Sequence, residues 1–266
     1  MVARRKLRLQ EKRRRKRYAL CALGLVVFVA AFSGLVFLLR LPEVTINSVA
    51  VSETEYVRNE LVLEMVNGML EGNYLLVIPR SNTFLYPKHA IQRDMFALFP
   101  SVERVKFSRI GFNTLSISIT ERTPVAEWCS NPGTSSPCYL LDNGGFVFAP
   151  QRVQGSSFVV YGGGLTGDPL GQTYLSGEFQ SIQEFVQDLK KVTERNPKTV
   201  LIDEHDDVSV TFKEGGELRF AVESANGTLL DNIASVFASR RFHSDDILEY
   251  ADFRFGNKIY VKFEDK

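Results

Sequence analysis

Residues 18–39 form the longest apolar run in the chain: 22 residues, none of them charged. As a helix rising ~1.5 Å per residue the run would reach ~33 Å, enough for a hydrocarbon core of about 30 Å. A cleaved leader is the competing reading, but leaders carry an apolar stretch of only about 7–15 residues that ends at small side chains. Here Leu35, Val36, Phe37, Leu38 and Leu39 continue past Ala30, Ala31, Ser33 and Gly34. The pattern predicts a retained transmembrane helix over 18–41.

Beyond it the period changes repeatedly. Residues 44–52 are rich in β-branched side chains and read as a strand. Val57, Leu61, Met65 and Met69 then recur at every fourth position, with Val66 and Leu70 widening the stripe, until Gly72-Asn73 ends the helix. The stretch "YLLVIP" (74–79) reads as a short buried segment. A second helix is predicted over 87–99, with Ile91, Met95 and Leu98 inward and Pro100 as its stop. Two strands follow, one with Val105 and Phe107 on one face, the other with Leu115, Ile117 and Ile119 alternating against Ser116, Ser118 and Thr120. Gly111-Phe112-Asn113 joins them. The order is strand, helix, helix, strand, strand over 44–121.

Residues 122–266 read as a second α+β domain built on one antiparallel sheet. A hairpin pair turns at Asp142-Asn143-Gly144-Gly145. A loop-rich, flexible connector contains Gly162-Gly163-Gly164. Helices are predicted over 178–194 (Phe179, Ile182, Phe185, Val186, Leu189, Val192 inward) and 228–240 (Leu229, Ile233, Val236, Phe237 inward). Strands flank the turn Lys213-Glu214-Gly215-Gly216. The last alternation is the most regular: Ala251, Phe253, Phe255, Ile259, Val261 and Phe263 against Asp252, Arg254, Lys258, Tyr260 and Lys262. A three-residue loop, Gly256-Asn257-Lys258, would keep all six apolar side chains on one face, whereas a two-residue loop would set Phe255 opposite Lys258, so the three-residue hairpin is expected. Little sequence follows to cover this edge, and uncovered edges invite pairing. Either another part of the chain or something from outside is expected to cover it; for an outside partner, Arg254, Phe255, Lys258, Tyr260 and Lys262 are the candidate contacts, with the amphipathic Tyr260 ring as anchor.

Charge divides the chain. Of 32 basic and 31 acidic residues, ten basic and one acidic precede Tyr18, so the remainder holds 22 and 30, a net −8. After Arg40 the next basic residue is Arg58. Residues 1–17 are thus a basic tail expected on the cytoplasmic side, with the rest outside. The tail suits anionic lipid, and the acidic body argues against a nucleic-acid ligand. Cys21 falls in the membrane run. Cys129 and Cys138 flank the turn-forming "SNPGTSSP", and the oxidising exterior predicts a disulfide between them.

Chemistry is sparse. "DEHDD" (203–207) lacks the converging spacing of a metal site and the apolar surroundings that separate carboxylate pKa values, so it reads as a solvated connection. His89, His205 and His243 occur singly; Ser244 or Asp245 after His243 reads as a helix cap. The Gly162 triplet lacks the Lys-Ser/Thr of a phosphate loop. No catalytic residue, metal, cofactor or small-molecule substrate is expected.

The phrases "INSVAVS", "GNYLLVI", "FPSVERVKFSR", "TLSISITERTPVAEW", "YLLDNGGFVF" and "LEYADFRFGNKIYVKF", in this order behind a basic tail and one membrane helix, resemble the FtsQ/DivIB family of bacterial division proteins. The resemblance spans about 44–263. It departs at Gly111-Phe112-Asn113, where the family often has proline, and in the cysteine pair. It implies a POTRA domain over 44–121, a second β domain over 122–266, and a non-enzymatic scaffold at the division septum of the plasma membrane. Implied partners are the single-pass proteins FtsB/DivIC and FtsL, bound by strand addition at the last strand, and the septal peptidoglycan synthase complex. The strand over 44–52 is a further candidate for contact with another division protein. A membrane-anchored POTRA-type adapter for secretion or envelope assembly, and an anchored cell-wall hydrolase, are the alternatives.

Overall fold

The computed structural model describes residues 2–134, 136–152, 157–239, 247–256 and 258–264, with side chains from Arg14 onward. The chain is a mixed α+β protein of two units, one comprising 1–97 and 104–120, the other 98–103 and 121–266. Leu98–Glu103 groups with the second unit, where Arg122 donates from its backbone N to Ser101 O (2.8 Å) and from Nε to Pro100 O (3.1 Å).

The first unit begins with α1 (Val2–Leu39), a continuous helix through the basic stretch and the apolar run. Its Arg14–Leu39 portion is long and apolar enough to cross a membrane, and none of its most apolar window is buried. β1 (Ser48–Val51), α2 (Asn59–Leu70), the short pair β2 (Asn73–Tyr74) and β3 (Ile78–Pro79), α3 (Lys88–Leu98), β4 (Val102–Ile110) and β5 (Thr114–Glu121) follow. Strand order is β1-β5-β4, with β1 parallel to β5 in the register Val49↔Leu115 and Val51↔Ile117. A parallel pair needs a long crossover, and the two helices supply it.

Three expectations fail here. The buried stripe of α2 is Val62, Val66 and Leu70, while Leu61 is exposed. The helix starts at Asn59, so Val57, though buried, stands before it and cannot set the helical phase. Leu98 is exposed at the end of α3. The stretch 74–79 is not a buried segment. Its tip, Leu75 and Leu76, is 88 % and 87 % exposed. Both residues have positive φ (47° and 66°), with Val77 N donating to Tyr74 O at 3.1 Å. Such two-residue turns normally use Asn-Gly, and each non-glycine residue held left-handed costs about 1 kcal/mol or more.

The second unit holds β6 (Ala126–Cys129), β7 (Cys138–Leu141), β8 (Val147–Pro150), β9 (Val160–Gly162), α4 (Phe179–Thr193), β10 (Pro197–Ile202), β11 (Asp207–Phe212), β12 (Glu217–Ala221), α5 (Gly227–Phe237), β13 (Leu248–Phe255) and β14 (Lys258–Phe263). Among the described residues these strands form one sheet, ordered β14-β13-β12-β11-β10-β9-β6-β7-β8. The sheet is mixed, not antiparallel: β6/β9, β9/β10 and β12/β13 run parallel. For β9/β10 and β12/β13 the reason lies in the helices. Each of α4 and α5 returns the chain across the sheet between two neighbouring strands, which leaves those strands parallel. Both helices bury their predicted faces, Phe179, Ile182, Phe185, Val186 and Leu189 on α4 and Leu229, Ile233 and Phe237 on α5, in one core with Val208, Val210, Leu218 and Phe220. Asn226 caps α5, its side chain accepting from Thr228 N and Leu229 N.

The glycine triplet is not a flexible connector. Val160–Gly162 is an interior strand, in register with both Glu127–Trp128 and Thr199–Leu201. Trp128 Nε1 donates to Gly163 O (2.9 Å) and Tyr174 OH to Gly162 O (3.0 Å). A Cβ on Gly163 would lie 2.0 Å from Ile202 O, at a φ of +83°. Three residues are too few for a periodic signal, and glycine masks what there is.

Gly163→Ala should therefore cost well over the ~1 kcal/mol of a strained φ alone. Gly167, equally left-handed at φ +76° but with open space around its Cβ position, is the control. In thermal melts Gly163→Ala is expected to lower the transition clearly further than Gly167→Ala; equal shifts would refute the packing argument.

Candidate functional site

The residues singled out at 254–262 belong to the last two strands. β14 is the outermost strand of the large sheet and, among the described residues, pairs with β13 alone. The register differs from expectation. Phe255 lies opposite Lys258, Asp252 opposite Tyr260, Ala251 opposite Val261, Tyr250 opposite Lys262 and Leu248 opposite Phe263. The paired Phe255 and Lys258 are thus separated by two positions in the sequence, the first of them Gly256 at φ 63°; Asn257 lies outside the described residues. The three-residue argument fails because the ladder is irregular at two places, between Leu248 and Tyr250 and between Asp252 and Phe255. In each, β13 carries one more residue than β14. A bulge shifts the alternation by one, so a single unbroken period does not describe the pair.

The six apolar residues accordingly divide. Ala251 and Phe253 are buried, Val261 and Phe263 half-buried against the core, and Ile259 and Phe255 exposed. Phe255 (54 % exposed) meets Tyr260 (51 % exposed) edge to face, with ring centroids 5.2 Å apart. Lys258 is exposed at the turn, and Lys262 reaches Glu249 at 2.7 Å. Among the described residues the outer strand therefore pairs on one side only, with Ile259, Tyr260 and Phe255 exposed on it or at its turn.

Arg254 has a different place from the one expected. Its Nε donates to Asp252 (3.0 and 3.2 Å), one terminal nitrogen to Asp252 Oδ2 (2.6 Å) and the other to Asp207 Oδ2 on β11. The guanidinium is half-buried and committed within the fold. Alongside, Arg219 pairs with Glu217 and stacks on Tyr250, 4.7 Å from the ring centroid. Asp252 is itself 4 % exposed. Burial works to raise its carboxyl pKa, but hydrogen bonds from Arg254 outweigh this and hold it below the ordinary value. The hydrogen bonds that Arg254 donates to Asp252, then to Asp207, raise its own pKa in return. The Glu217–Arg219 pair is legible from period-2 spacing, whereas the Asp207–Arg254 pair joins strands 47 residues apart and needs the topology.

Other groups singled out in the sequence fall elsewhere. Asp203 closes its own turn, Oδ1 accepting from His205 N (2.8 Å) and Asp207 N (3.1 Å), and these bonds lower its pKa. His89 and His205 are exposed on separate elements. His243, Ser244, Asp245 and Asp246 lie outside the described residues. Cys129 and Cys138 sit opposite each other on β6 and β7, joined by a disulfide. Glu127 Oε lies close to both sulfurs, but a disulfide offers no thiolate to a metal. A groove of about 520 Å³ beside α4, lined by Val125, Tyr161, Gln187, Lys190 and Lys213 among others, has no carboxylate or histidine among the described residues of its wall.

No protein-family model matches the chain, and no curated protein matches it either.

The Asp252 carboxyl titrates lower folded than unfolded, so its contribution is present above its unfolded pKa of about 3.9 and disappears as pH falls through the folded value. Asp252→Asn should destabilise by about 1.5–3 kcal/mol at neutral pH, the range for hydrogen bonds to charged groups. The gap between the two proteins in denaturant melts should narrow below about pH 4, where the parent loses the same charge. A gap that stays constant from pH 7 into that range would contradict this account.

Proposed function

We propose that this chain is a membrane-anchored, non-enzymatic scaffold of the FtsQ/DivIB type, which recruits a single-pass partner by accepting its strand along β14. The observation that carries this reading is the outer strand, which among the described residues pairs on one side only and carries or adjoins the exposed Ile259, Tyr260 and Phe255. Main-chain hydrogen bonds along such an edge supply affinity, and flanking side chains supply register. The strand-helix-helix-strand-strand order of the first unit, with β1 parallel to β5, supports a POTRA-type reading of 44–121. The family resemblance names the partners, FtsB/DivIC-like and FtsL-like proteins working with the septal peptidoglycan synthase. Arg254 is here a positioning residue, because its ion pairs fix the outward face of β13 beside the acceptor strand.

Two measurements test this. Tyr260 and Phe255 contact each other while both remain exposed, so Tyr260→Ala should leave the fold intact. It should reduce capture of an FtsB/DivIC-like partner in a pull-down from membranes by about tenfold or more, as loss of an interface anchor does. Undiminished capture by the folded variant would place the partner elsewhere. The basic excess before Tyr18 sets the N-terminus in the cytoplasm. A reporter active only outside the cytoplasm, fused after Lys266, should therefore be active, and a cytoplasm-dependent one silent. The opposite pattern would remove the partner-facing orientation altogether.

A further inference from the structure

Three loops of the first unit converge on the segment that leaves α1. From the β2–β3 hairpin, Val77 O accepts from Arg40 Nε at 2.8 Å. From the loop before α3, Asn82 Nδ2 donates to Leu39 O (2.9 Å), Thr83 N donates to Val44 O (2.9 Å) and Ser81 O accepts from Ile46 N (2.8 Å). From the β4–β5 turn, Asn113 Nδ2 donates to Pro42 O (2.7 Å) and Asn113 O accepts from Asn47 N (2.8 Å). Each of these loops also carries apolar side chains in the open: Leu75 and Leu76 on the first, Phe84 and Leu85 on the second, Phe112 on the third. The Phe84 and Phe112 rings lie 6.0 Å apart.

We propose that this apolar rim seats the first unit in the headgroup–acyl boundary of the bilayer that α1 enters, with the Leu75-Leu76 tip inserted. The loops' bonds to residues 39–47 keep them beside the helix end, where lipid is the nearest apolar phase. The leucines stand in left-handed conformations that Asn-Gly would adopt without strain, and neither is packed on the protein, so the local rule is broken with no gain inside the fold. The rim's cations suit the same level. Arg80 lies over the Tyr74 ring (5.6 Å) and Arg109 over the Phe84 ring (5.2 Å), and with Arg40 they outnumber Glu43 and Glu71 nearby. Arginine and aromatic side chains favour the headgroup region, where one end is apolar and the other polar. The proposal rests on α1 entering a bilayer and is independent of the division role.

The test uses the full chain in liposomes of three parts phosphatidylcholine to one part phosphatidylglycerol. An environment-sensitive nitrobenzoxadiazole dye is placed on one thiol at a time: native Cys21, or Leu76→Cys, Phe112→Cys or Glu60→Cys, each in a Cys21→Ala background. Glu60 is the exposed reference, on the first turn of α2 and roughly 15 Å along that helix from its hairpin end. Dye at 76 and at 112 should be quenched by doxyl-labelled lipid several-fold more than dye at 60, and shielded from aqueous iodide. Behaviour at both 76 and 112 matching that at 60 would overturn the proposal, and a protein partner would then be the rim's cover. Cys21 separates the two failures. If its dye is lipid-quenched while 76 and 112 stay aqueous, only the seating is wrong; if Cys21 is aqueous too, the anchor reading falls and takes the seating with it.

Discussion

The large sheet depends on one close backbone approach, at Gly162 and Gly163. β9 is three residues long, yet among the described residues it alone joins the β6–β7–β8 hairpins to the β10–β14 strands. No side chain fits at its end. A Cβ on Gly162 would meet Pro132 and Leu201 at 2.7 and 2.8 Å, and one on Gly163 would collide with Ile202 O. Trp128 and Tyr174 then bond the carbonyls that the left-handed turn exposes, so these buried polar groups are satisfied by core aromatics. Every strand from β10 outward is positioned by its inner neighbour, and the placement of β14 follows from this junction.

An open edge is a hazard unless it is selective. Here two bulges on β13 bend and twist the pair, which makes flat edge-to-edge stacking of copies unfavourable. Lys258 and Lys262 add charge along the edge strand. The ion pairs of Asp252, Arg254 and Asp207 tie β13 to β11 across β12, so the strand next to β14 is fixed from its outer face as well as from the core. An incoming strand would meet a preorganised template, which lowers the ordering cost of binding.

Long periodic elements were legible in the sequence: the α1 apolar run, the inward faces of α4 and α5, and the alternation of β5. The sheet's mixed character was not, because direction depends on where α4 and α5 return the chain, and short strands such as β9 carry no period. The terminal register was misread for a related reason. Alternation of Ala251, Phe253 and Phe255 looks unbroken, but bulges shift one strand against the other without changing either strand's own pattern. The edge position of β14 was anticipated, while the commitment of Arg254 to Asp207 was not, since a 47-residue separation leaves no local trace. At Leu75-Leu76 the hydrophobic pattern predicts burial, and the left-handed turn presents both side chains outward instead.

The connection between α1 and β1 bears on how such an anchor transmits position. Residues 40–47 contain no glycine, and Pro42–Val44 form a 3-10 turn. Asn82, fully buried, donates to Leu39 O at the end of α1, while its Oδ1 accepts from Phe84 N. Asn113 bridges Pro42 O and Thr45 O from the opposite loop. A flexible linker leaves its backbone groups to water, whereas here side-chain amides from two loops hold them. The first unit therefore continues the end of the helix as a packed structure rather than hanging from it. Rotation of α1 about its axis would be carried into β1 and, through the parallel β1–β5 pairing, into that sheet.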